Sequence, residues 1–318
     1  MSASLVVVGS LNMDFVVRVE RLPAPGETAL GHDFRMIPGG KGANQACAAG
    51  RLAKSARVRM IGRVGYDLFA DHLKASLAAA GVDVSFVHAT RAAPTGIAMI
   101  WVDGKGQNSI VVASGANHAL AASEAEAMRP VFKGARCALF QLETPISTVQ
   151  AALGLARQEG AQTILDPAPA QSLTGGLLGC VDLLTPNESE ACMLLGREPS
   201  RIGMAEAPAI AEALLATGVK AVILKLGDQG CYYRDRECAL HSPAFPVESV
   251  DATAAGDTFN AALAVALAEN QPLEQALRFA NAAAAISVTR QGAQASIPSR
   301  AEVDELVKKS LRAADELG

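Results

Sequence analysis

The sequence predicts a three-layer α/β/α sandwich with a mainly parallel central sheet and a small separate β-sheet. Three observations lead to this fold class: apolar, β-branched runs recur along the chain, alanine-rich segments of helical period separate them, and two stretches break the alternation. Runs that are apolar throughout are typical of parallel strands covered by helices on both faces. The predicted strands are residues 5–8, 58–61, 138–141, 163–165, 181–184 and 221–224.

The two exceptional stretches, residues 14–35 and 95–113, contain the strand-like pieces FVVRVE, GIAMIWVD and NSIVVA, separated by Pro or Gly turns. Both stretches leave the main sheet and re-enter it. We therefore expect a small β-sheet that closes over a site as a lid. The main domain then comprises residues 1–13, 36–94 and 114–318, and its alanine-rich 261–285 region predicts two buried helices.

Composition and charge exclude several classes of protein. Half of the 318 residues are apolar, which predicts a sizeable core. The net charge is -4, and Lys and Arg are dispersed, so we expect no nucleic-acid partner. The six cysteines lie far apart without a ligand cluster, and the chain shows no signal peptide and no bilayer-spanning run. These features predict a cytoplasmic protein with reduced thiols and no membrane partner.

The segment SVDATAAGDTF precedes an apolar run of helical period that continues to about Ala268. The small residues Ala254, Ala255 and Gly256 allow close approach of a ligand to the backbone. Free N–H groups at a helix start bind phosphate or a developing phosphoryl anion. Asp257 is therefore a candidate catalytic carboxylate, and the alternative is that it only caps the helix.

A second glycine-rich segment, MIPGGKGANQA, also precedes an alanine-rich helix. Gly39, Gly40 and Gly42 allow the backbone to lie against a polar ligand, and Lys41 and Asn44 can donate hydrogen bonds. The spacing of the Walker A loop is absent, which disfavours a Walker-type ATPase. The alternative interpretation is a simple glycine turn before a helix.

In VDLLTPNESE, a buried strand ends before Asn187, which stands at the start of the next helix. Asn187 and Glu190 are three residues apart, so their side chains lie near one helix end. An amide and a carboxylate there can orient water around Mg²⁺. The alternative is a capping arrangement between the two residues.

These segments together resemble the PfkB carbohydrate kinases. GGKGANQA and DATAAGDTF stand where the two signature motifs of that family stand. The segments PAPGET, SGAN, QLETP, DPAPA, TPNESE and FANAAAAISVTRQGAQ agree in order and spacing, so the resemblance covers about the whole chain. It implies the fold of that family and ATP-dependent phosphorylation of a sugar.

The resemblance also implies a role for individual residues, with Asp257 as the general base and N–H groups of Ala254, Ala255 and Gly256 as the anion hole. The implied sugar site consists of Asn12, Asp14, Gly40, Lys41, Asn44, Glu143 and Asp257. The implied ATP site consists of Asn187, Lys225, Leu226, Gly227, Asp228, Gln229, Gly230, Gly256, Asp257 and Asn281. The implied potassium site consists of Asp251, Thr253, Ser287, Arg290, Gly292 and Ser296, and Glu190 would hold Mg²⁺ through water.

The chain departs from the family pattern at four positions. Ala252 replaces a threonine and Ala254 a glycine of the second signature. Asp166 replaces an asparagine common among ribose kinases, and Lys225 stands where threonine is frequent. None of these changes removes a group assigned to chemistry, but Lys225 adds a charge near the nucleotide phosphates.

The implied sugar site presents amides, carboxylates and one lysine, which suit a neutral sugar with several hydroxyls. The resemblance at Asn12 to Asp14 implies D-ribose as the sugar, phosphorylated at its 5-hydroxyl. The alternatives are a kinase for deoxyribose or another small sugar, and a catalytically silent sugar-binding regulator.

Assembly is a separate expectation. A small sheet with an apolar outer face needs a partner, and related kinases pair through their lids, so we expect a two-fold symmetric homodimer. The candidate outward residues alternate along two strands: Val17, Val19, Ile97, Met99 and Trp101.

Overall fold

The computed structural model describes residues 4–315, so residues 1–3 and 316–318 of the expected main domain lie outside the described residues. The strands are β1 Ser4–Val8, β2 Asn12–Arg18, β3 His32–Gly39, β4 Arg57–Gly65, β5 Val82–Thr90, β6 Gly96–Val102, β7 Asn108–Ala113, β8 Ala135–Phe140, β9 Gln162–Leu165, β10 Leu183–Leu184, β11 Ala221–Lys225, β12 Cys231–Arg234 and β13 Ala239–Ser242. The helices are α1 Lys41–Leu52, α2 Leu68–Ala79, α3 Ala125–Phe132, α4 Ile146–Gln158, α5 Gly175–Leu178, α6 Glu188–Leu194, α7 Ala207–Leu215, α8 Ala255–Ala268, α9 Leu273–Val288 and α10 Arg300–Asp315. Within the described range, no helix is long and apolar enough to cross a membrane.

A nine-stranded sheet forms the centre of the molecule, in the order β13-β12-β11-β10-β9-β8-β1-β4-β5. All neighbouring strands are parallel except the β11–β12 and β12–β13 pairs. Helices α1, α2, α8, α9 and α10 share one core with the sheet, and α3 to α7 share the other. The predicted three-layer fold class is confirmed.

The residues of β1 show why its sequence is apolar throughout. Leu5 and Val7 pack into the core beneath α1 and α8, whereas Val6 and Val8 pack into the core beneath α3 and α4. All four side chains are fully buried. Because successive strand residues point to opposite faces, a strand covered by helices on both faces needs apolar side chains at every position.

Strand prediction failed mainly at the edges of the main sheet. The strands β5, β12 and β13 were not predicted, and the predicted strand at 181–184 is reduced to β10. β5 and β13 are the two edge strands, where one side of the backbone and part of the side chains face solvent. Their sequences therefore lack the continuous apolar runs of the central strands.

Strands β2, β3, β6 and β7 form the small separate sheet, in the order β3-β2-β6-β7. Its inner pair, β2 and β6, is parallel, and the outer pairs are antiparallel. β2 begins at Asn12, four residues after β1, and β3 ends at Gly39, just before α1. The small sheet thereby places Asn12 and Gly39 next to the carboxyl edge of the main sheet.

Two of the five candidate outward residues on the small sheet were predicted wrongly. Ile97 packs against the main core, because it lies where the small sheet meets the rest of the protein. Val19 is buried beyond the other end of β2, where its side chain lies beside Gly31. Val17 and Trp101 are half-buried, and Met99 is exposed. The same face also exposes apolar side chains that the sequence interpretation did not include: Phe34, Met36 and Val111.

Candidate active site

Several loops meet at the carboxyl edge of the main sheet, where its strand order changes direction. β1 lies between β4 and β8, so the chain leaves β1 toward one side and later returns on the other. Loops diverge at such a point and leave a crevice for a ligand. Ser10, Gln141 and Asp166 follow β1, β8 and β9 at this edge, and all three are buried.

The glycine-rich start of α1 lies directly against the end of β1. Gly40 has a φ of 87°, a left-handed conformation that favours glycine. A Cβ on Gly42 would lie 2.5 Å from the backbone nitrogen of Ser10. Ala43 N–H donates to the Ser10 carbonyl at 2.8 Å, and Lys41 N–H donates to Glu143 Oε2 at 3.1 Å. This close packing places the start of α1 at the floor of the crevice.

Asp257 lies in the first turn of α8 and is 6% exposed. Its Oδ2 accepts a hydrogen bond from Asn44 Nδ2 at 3.1 Å, and its Oδ1 accepts one from Gln45 Nε2 at 2.9 Å. Both donors belong to α1, and Ala254, not Asp257, is the N-cap of α8. The interpretation of Asp257 as a helix cap is therefore wrong.

The environment of Asp257 adjusts its basicity. Burial raises the pKa of Asp257 to about 6, and the nearby Asp166 carboxylate also raises it. The Lys41 ammonium and the hydrogen bonds from Gln45 and Asn44 oppose that rise in pKa. A carboxylate with a pKa near 6 is ionised at neutral pH and is more basic than an exposed aspartate, which suits it to accept a proton from a hydroxyl.

A compact polar pocket lies next to Asp257. Burial, together with the charges of Glu143 and Asp257, raises the pKa of Asp14 to about 7. Although burial opposes it, the surrounding carboxylates hold the pKa of Lys41 above its ordinary value. Asn12 accepts a hydrogen bond from Asn117 Nδ2 at 2.8 Å, so the Asn12 amide nitrogen is the atom that can donate to a ligand. Such a pocket can bind a neutral molecule with several hydroxyls.

A cleft of about 750 Å³ adjoins the polar pocket, and Lys41 and Asp257 line the cleft as well. Of the predicted nucleotide-binding residues, eight line it: Asn187, Lys225, Gly227, Asp228, Gly230, Gly256, Asp257 and Asn281. Two do not. Leu226 is fully buried in the core, and Gln229 bonds to the backbone of Ile202 and Met204. These two residues are neighbours in sequence of residues that line the cleft, but their own side chains point elsewhere.

The start of α8 borders this cleft. Ala254 has a φ of 58°, so an alanine occupies the left-handed conformation, which costs roughly 1–2 kcal/mol for a residue with a Cβ. Ala255 N–H donates to the Ala252 carbonyl at 3.2 Å, and Thr258 N–H is the first to bond back to Ala254. Of the predicted anion hole of Ala254, Ala255 and Gly256, the Ala255 N–H is thus engaged within the loop. The N–H groups of Gly256 and Asp257 precede the intrahelical hydrogen bonds and can bind an anion.

Asn187 and Glu190 form a capping box at the start of α6. Asn187 Oδ1 accepts from Glu190 N–H, and Glu190 Oε2 accepts from Asn187 N–H, both at 2.8 Å. The capping arrangement that the sequence left open is therefore present. Both residues also line the cleft, and each carboxylate oxygen retains capacity for a water ligand.

Two loops behind the start of α8 approach each other around Asp251. Its carboxylate accepts hydrogen bonds from Thr253 N–H at 2.9 Å and from Gly292 N–H at 2.8 Å. Burial acts to raise its pKa, but these hydrogen bonds hold the pKa of Asp251 below its ordinary value. Ser287 and Ser296, which lie on either side of Gly292 in the sequence, are buried. Of these groups, the Asp251 carboxylate is of the type that suits a hard cation.

One predicted cation-site residue, Arg290, uses its side chain elsewhere: it forms an ion pair with Glu302 of α10.

The sequence interpretation also missed several site residues. Ser10 and Gln45, which hold Glu143 and Asp257, were not predicted. Ser10 lies two residues before the predicted site residue Asn12, and Gln45 lies inside the quoted segment GGKGANQA. The available signal was therefore the nearness of these polar residues to predicted site residues. The apolar cleft wall was also missed: Phe245, Pro246, Val247 and Val288.

Comparison with known proteins identifies the family. The model of the pfkB family carbohydrate kinases matches residues 2–300. The chain is 40% identical to ribokinase of Haemophilus influenzae, over 97% of this chain and 99% of that protein. It is 41% identical to ribokinase of Bacillus subtilis, over 96% and 99%. A ribokinase from Arabidopsis thaliana complexed with ribose and ATP matches with a TM-score of 0.90 and 34% identity, over 97% and 99%. This chain therefore belongs to the pfkB family of carbohydrate kinases.

Proposed function

We propose that this protein is a ribokinase, which transfers the γ-phosphoryl group of ATP to the 5-hydroxyl of D-ribose. The observation that carries the proposal is the position of Asp257, a buried carboxylate between the polar pocket and the nucleotide-sized cleft, in the first turn of α8. The similarity to ribokinases along nearly the whole chain supports ribose as the sugar.

In this proposal the polar pocket holds the sugar through Asn12, Asp14, Lys41, Asn44 and Glu143. Asp257 accepts the proton of the 5-hydroxyl, whose oxygen attacks the γ-phosphorus while ADP leaves. The N–H groups at the start of α8 stabilise the charge that develops on the transferring group. Strand β2 of the small sheet carries Asn12 and Asp14. The sheet therefore covers the bound sugar and excludes water from it.

Asn187 and Glu190 would hold Mg²⁺ through water at the edge of the cleft. A bound Mg²⁺ neutralises charge on the nucleotide phosphates. The capping box supports this role because it fixes both side chains at the helix start without using every acceptor of the carboxylate.

Asp251, Thr253 and Gly292 would hold a potassium ion together with oxygens of Ser287, Arg290 and Ser296. Such an ion stiffens the loop that precedes Ala254, whose left-handed backbone sets the start of α8. We expect turnover to rise when K⁺ replaces Na⁺, at constant ionic strength. Equal turnover in K⁺, Na⁺ and a bulky organic cation would reject the potassium site.

Incubation of the purified protein with Mg²⁺ and ATP and separately with pentoses, deoxyribose, hexoses and nucleosides tests the proposed function. We expect ADP release with ribose to exceed that with every other sugar. Preference for deoxyribose or another sugar would reassign the substrate. Binding of sugar without ADP release would instead indicate a regulator and reject the kinase function.

The contribution of Asn12 distinguishes ribose from deoxyribose. If its amide nitrogen donates to the 2-hydroxyl, Asn12→Ala leaves that hydroxyl unpaired, which costs about 1–3 kcal/mol. We expect kcat/KM for ribose to fall about 10- to 100-fold, with a much smaller change for deoxyribose. A parallel fall for both sugars would exclude contact with the 2-hydroxyl.

A homodimer through the small sheet is a further part of the proposal. Phe34, Met36, Met99 and Val111 are 60%, 51%, 40% and 59% exposed on one face of that sheet. They are neighbours across the strands, because Phe15 pairs with both Met36 and Met99, and Met99 pairs with Val111. A contiguous apolar face of this kind favours a self-complementary contact with a second copy.

We expect Val111→Asp to shift the protein from dimer to monomer in sedimentation at micromolar concentration. A carboxylate placed within an apolar contact loses its hydration without gaining a partner. The matched control is Leu311→Asp on α10, where an exposed leucine lies outside this face. A wild-type protein that sediments as a monomer would reject the dimer.

The spread of the cysteines supports a reducing, cytoplasmic location, which fractionation of host cells would test.

A further inference from the structure

A buried ion pair lies between the polar pocket and the nucleotide cleft. Lys225 Nζ is 2.9 Å from Asp166 Oδ1, and the two side chains are 12% and 3% exposed. Lys225 ends β11, and Asp166 follows β9, two strands away at the same edge of the sheet. A buried charge without a partner costs several kcal/mol. Each of these residues therefore requires the other.

The same pair is connected to Asp257. Gln45 Nε2 donates to Asp166 Oδ2 at 2.8 Å and to Asp257 Oδ1 at 2.9 Å. One amide group thus joins the carboxylate that holds Lys225 to the carboxylate proposed as the base. Gln45 Oε1 in turn accepts a hydrogen bond from Gln141 Nε2, which fixes the orientation of the amide.

The Lys225 ammonium lies over the first turn of α8. A Cβ built on Gly256 would be 3.4 Å from Lys225 Nζ, so the ammonium adjoins the N–H groups that can bind an anion. Lys225 also lines the cleft, together with Gly256 and Asp257. An ammonium has three donors, and Asp166 uses one of them. The remaining donors can reach a phosphoryl group at the start of α8.

We propose that Lys225 is a further catalytic residue that contacts the γ-phosphoryl group during transfer, and that Asp166 is a positioning residue for both Lys225 and Asp257. This inference rests on the proposed kinase function. In the step, a bond forms between the sugar O5 and the γ-phosphorus while the bond from phosphorus to the β,γ-bridging oxygen breaks. The hydroxyl proton passes to Asp257, and ADP leaves with the electron pair. Lys225 offsets negative charge on the transferring oxygens.

The first test compares Lys225→Met, Asp166→Asn and the double variant. We expect Lys225→Met to lower kcat about 10²-fold with little change in the KM for ribose, because the cation acts in the transition state. The double variant restores charge balance, so its melting temperature should recover while its kcat remains low. A double variant with wild-type kcat would show that the pair is only structural, and would overturn the catalytic role.

The matched control is an ion pair far from the site. Lys309 Nζ lies 2.7 Å from Glu305 Oε1 on the surface of α10, and both side chains are exposed. Lys309→Met combined with Glu305→Gln removes a lysine–carboxylate pair of the same charge composition, but an exposed one, without touching the crevice. We expect its kcat and nucleotide affinity to equal those of the wild type.

The second test uses the pH dependence of kcat/KM. Asp257 must be ionised to accept a proton, so the rate falls as pH drops below its pKa. Asp166 raises that pKa, and Asp166→Asn should therefore move the acidic limb to lower pH. An unmoved limb would reject the positioning role toward Asp257. The charged groups around Asp257 that stay in place in this variant are Lys41, Asp14, Glu143, Lys225 and Glu190.

The third test does not depend on sugar turnover. Calorimetry with Mg²⁺ measures the affinity for ADP and for a non-hydrolysable ATP analogue. We expect Lys225→Met to weaken binding of the analogue about tenfold and to leave ADP affinity unchanged, since only the analogue carries a γ-phosphate. Equal losses for both nucleotides would overturn the γ-phosphoryl contact. If the wild type phosphorylates no sugar, the proposed function fails, and this measurement still decides the contact.

Discussion

Asp257→Asn is expected to lower ribose phosphorylation by about 10²- to 10⁴-fold, because an amide cannot accept the proton of the attacking hydroxyl. The side chain keeps its size, so the fold and nucleotide binding should persist. Removing a buried carboxylate relieves a desolvation penalty, while one of the hydrogen bonds from Asn44 and Gln45 is lost. Single-turnover kinetics with ATP and ribose, together with calorimetry of ATP binding, measures both effects.

Asp71→Asn is the matched control for Asp257→Asn. Asp71 also lies in the first turn of a helix, α2, but it is exposed and distant from the crevice. The Asp71→Asn variant should retain wild-type turnover. Near-normal turnover by Asp257→Asn would refute the assignment of the base. Lost ATP binding by Asp257→Asn would show that the charge organises the cleft as well.

Gly42→Ala is expected to destabilise the folded protein by roughly 2–3 kcal/mol, at the upper end of the typical range for overpacking. The added methyl would lie 2.5 Å from Ser10 N and 2.6–2.7 Å from backbone atoms of Gly9. Backbone atoms cannot rotate away as a flexible side chain can, so the start of α1 must move. That movement would also displace Lys41 and the hydrogen bond that its N–H donates to Glu143. Urea denaturation gives the loss of stability, and the KM for ribose reports the displacement.

Gly154→Ala is the control for Gly42→Ala. Gly154 lies inside α4, and a Cβ there meets no atom within 4 Å. An alanine in this helix interior should stabilise the protein by about 0.5–1 kcal/mol. If Gly42→Ala denatured at the same urea concentration as the wild type, the close packing of α1 on β1 would not contribute to the stability of the folded protein.

The sequence determined the layers of the fold because hydrophobic periodicity is a local property. The apolar runs that became β1, β8 and β11 could be identified without knowledge of their neighbours. The run that became α8 was predicted to end near Ala268, and the helix ends there. Edge strands escaped prediction, since β5 and β13 are partly exposed and owe their structure to the strand beside them.

The environment of Asp257 required the tertiary structure. Its position before an apolar run fitted both a helix cap and a candidate base, and only the three-dimensional structure excluded the cap, because Ala254 occupies that position. Asn44 and Gln45 come more than 200 residues earlier, yet they donate to its carboxylate. Local sequence likewise left Asn187 and Glu190 open, and the structure shows that they cap α6 and also border the cleft.

The pairing of Lys225 with Asp166 shows most clearly that local sequence does not predict contacts between distant residues. Each residue appeared in the sequence as an isolated departure from the family pattern, 59 positions apart. The parallel order of β9, β10 and β11 brings their carboxyl ends to one edge, where the two charges meet away from water. Sequence determined which groups are present, because side-chain chemistry is local. The tertiary structure decided which groups touch, since contact and burial depend on chain segments that are distant in sequence.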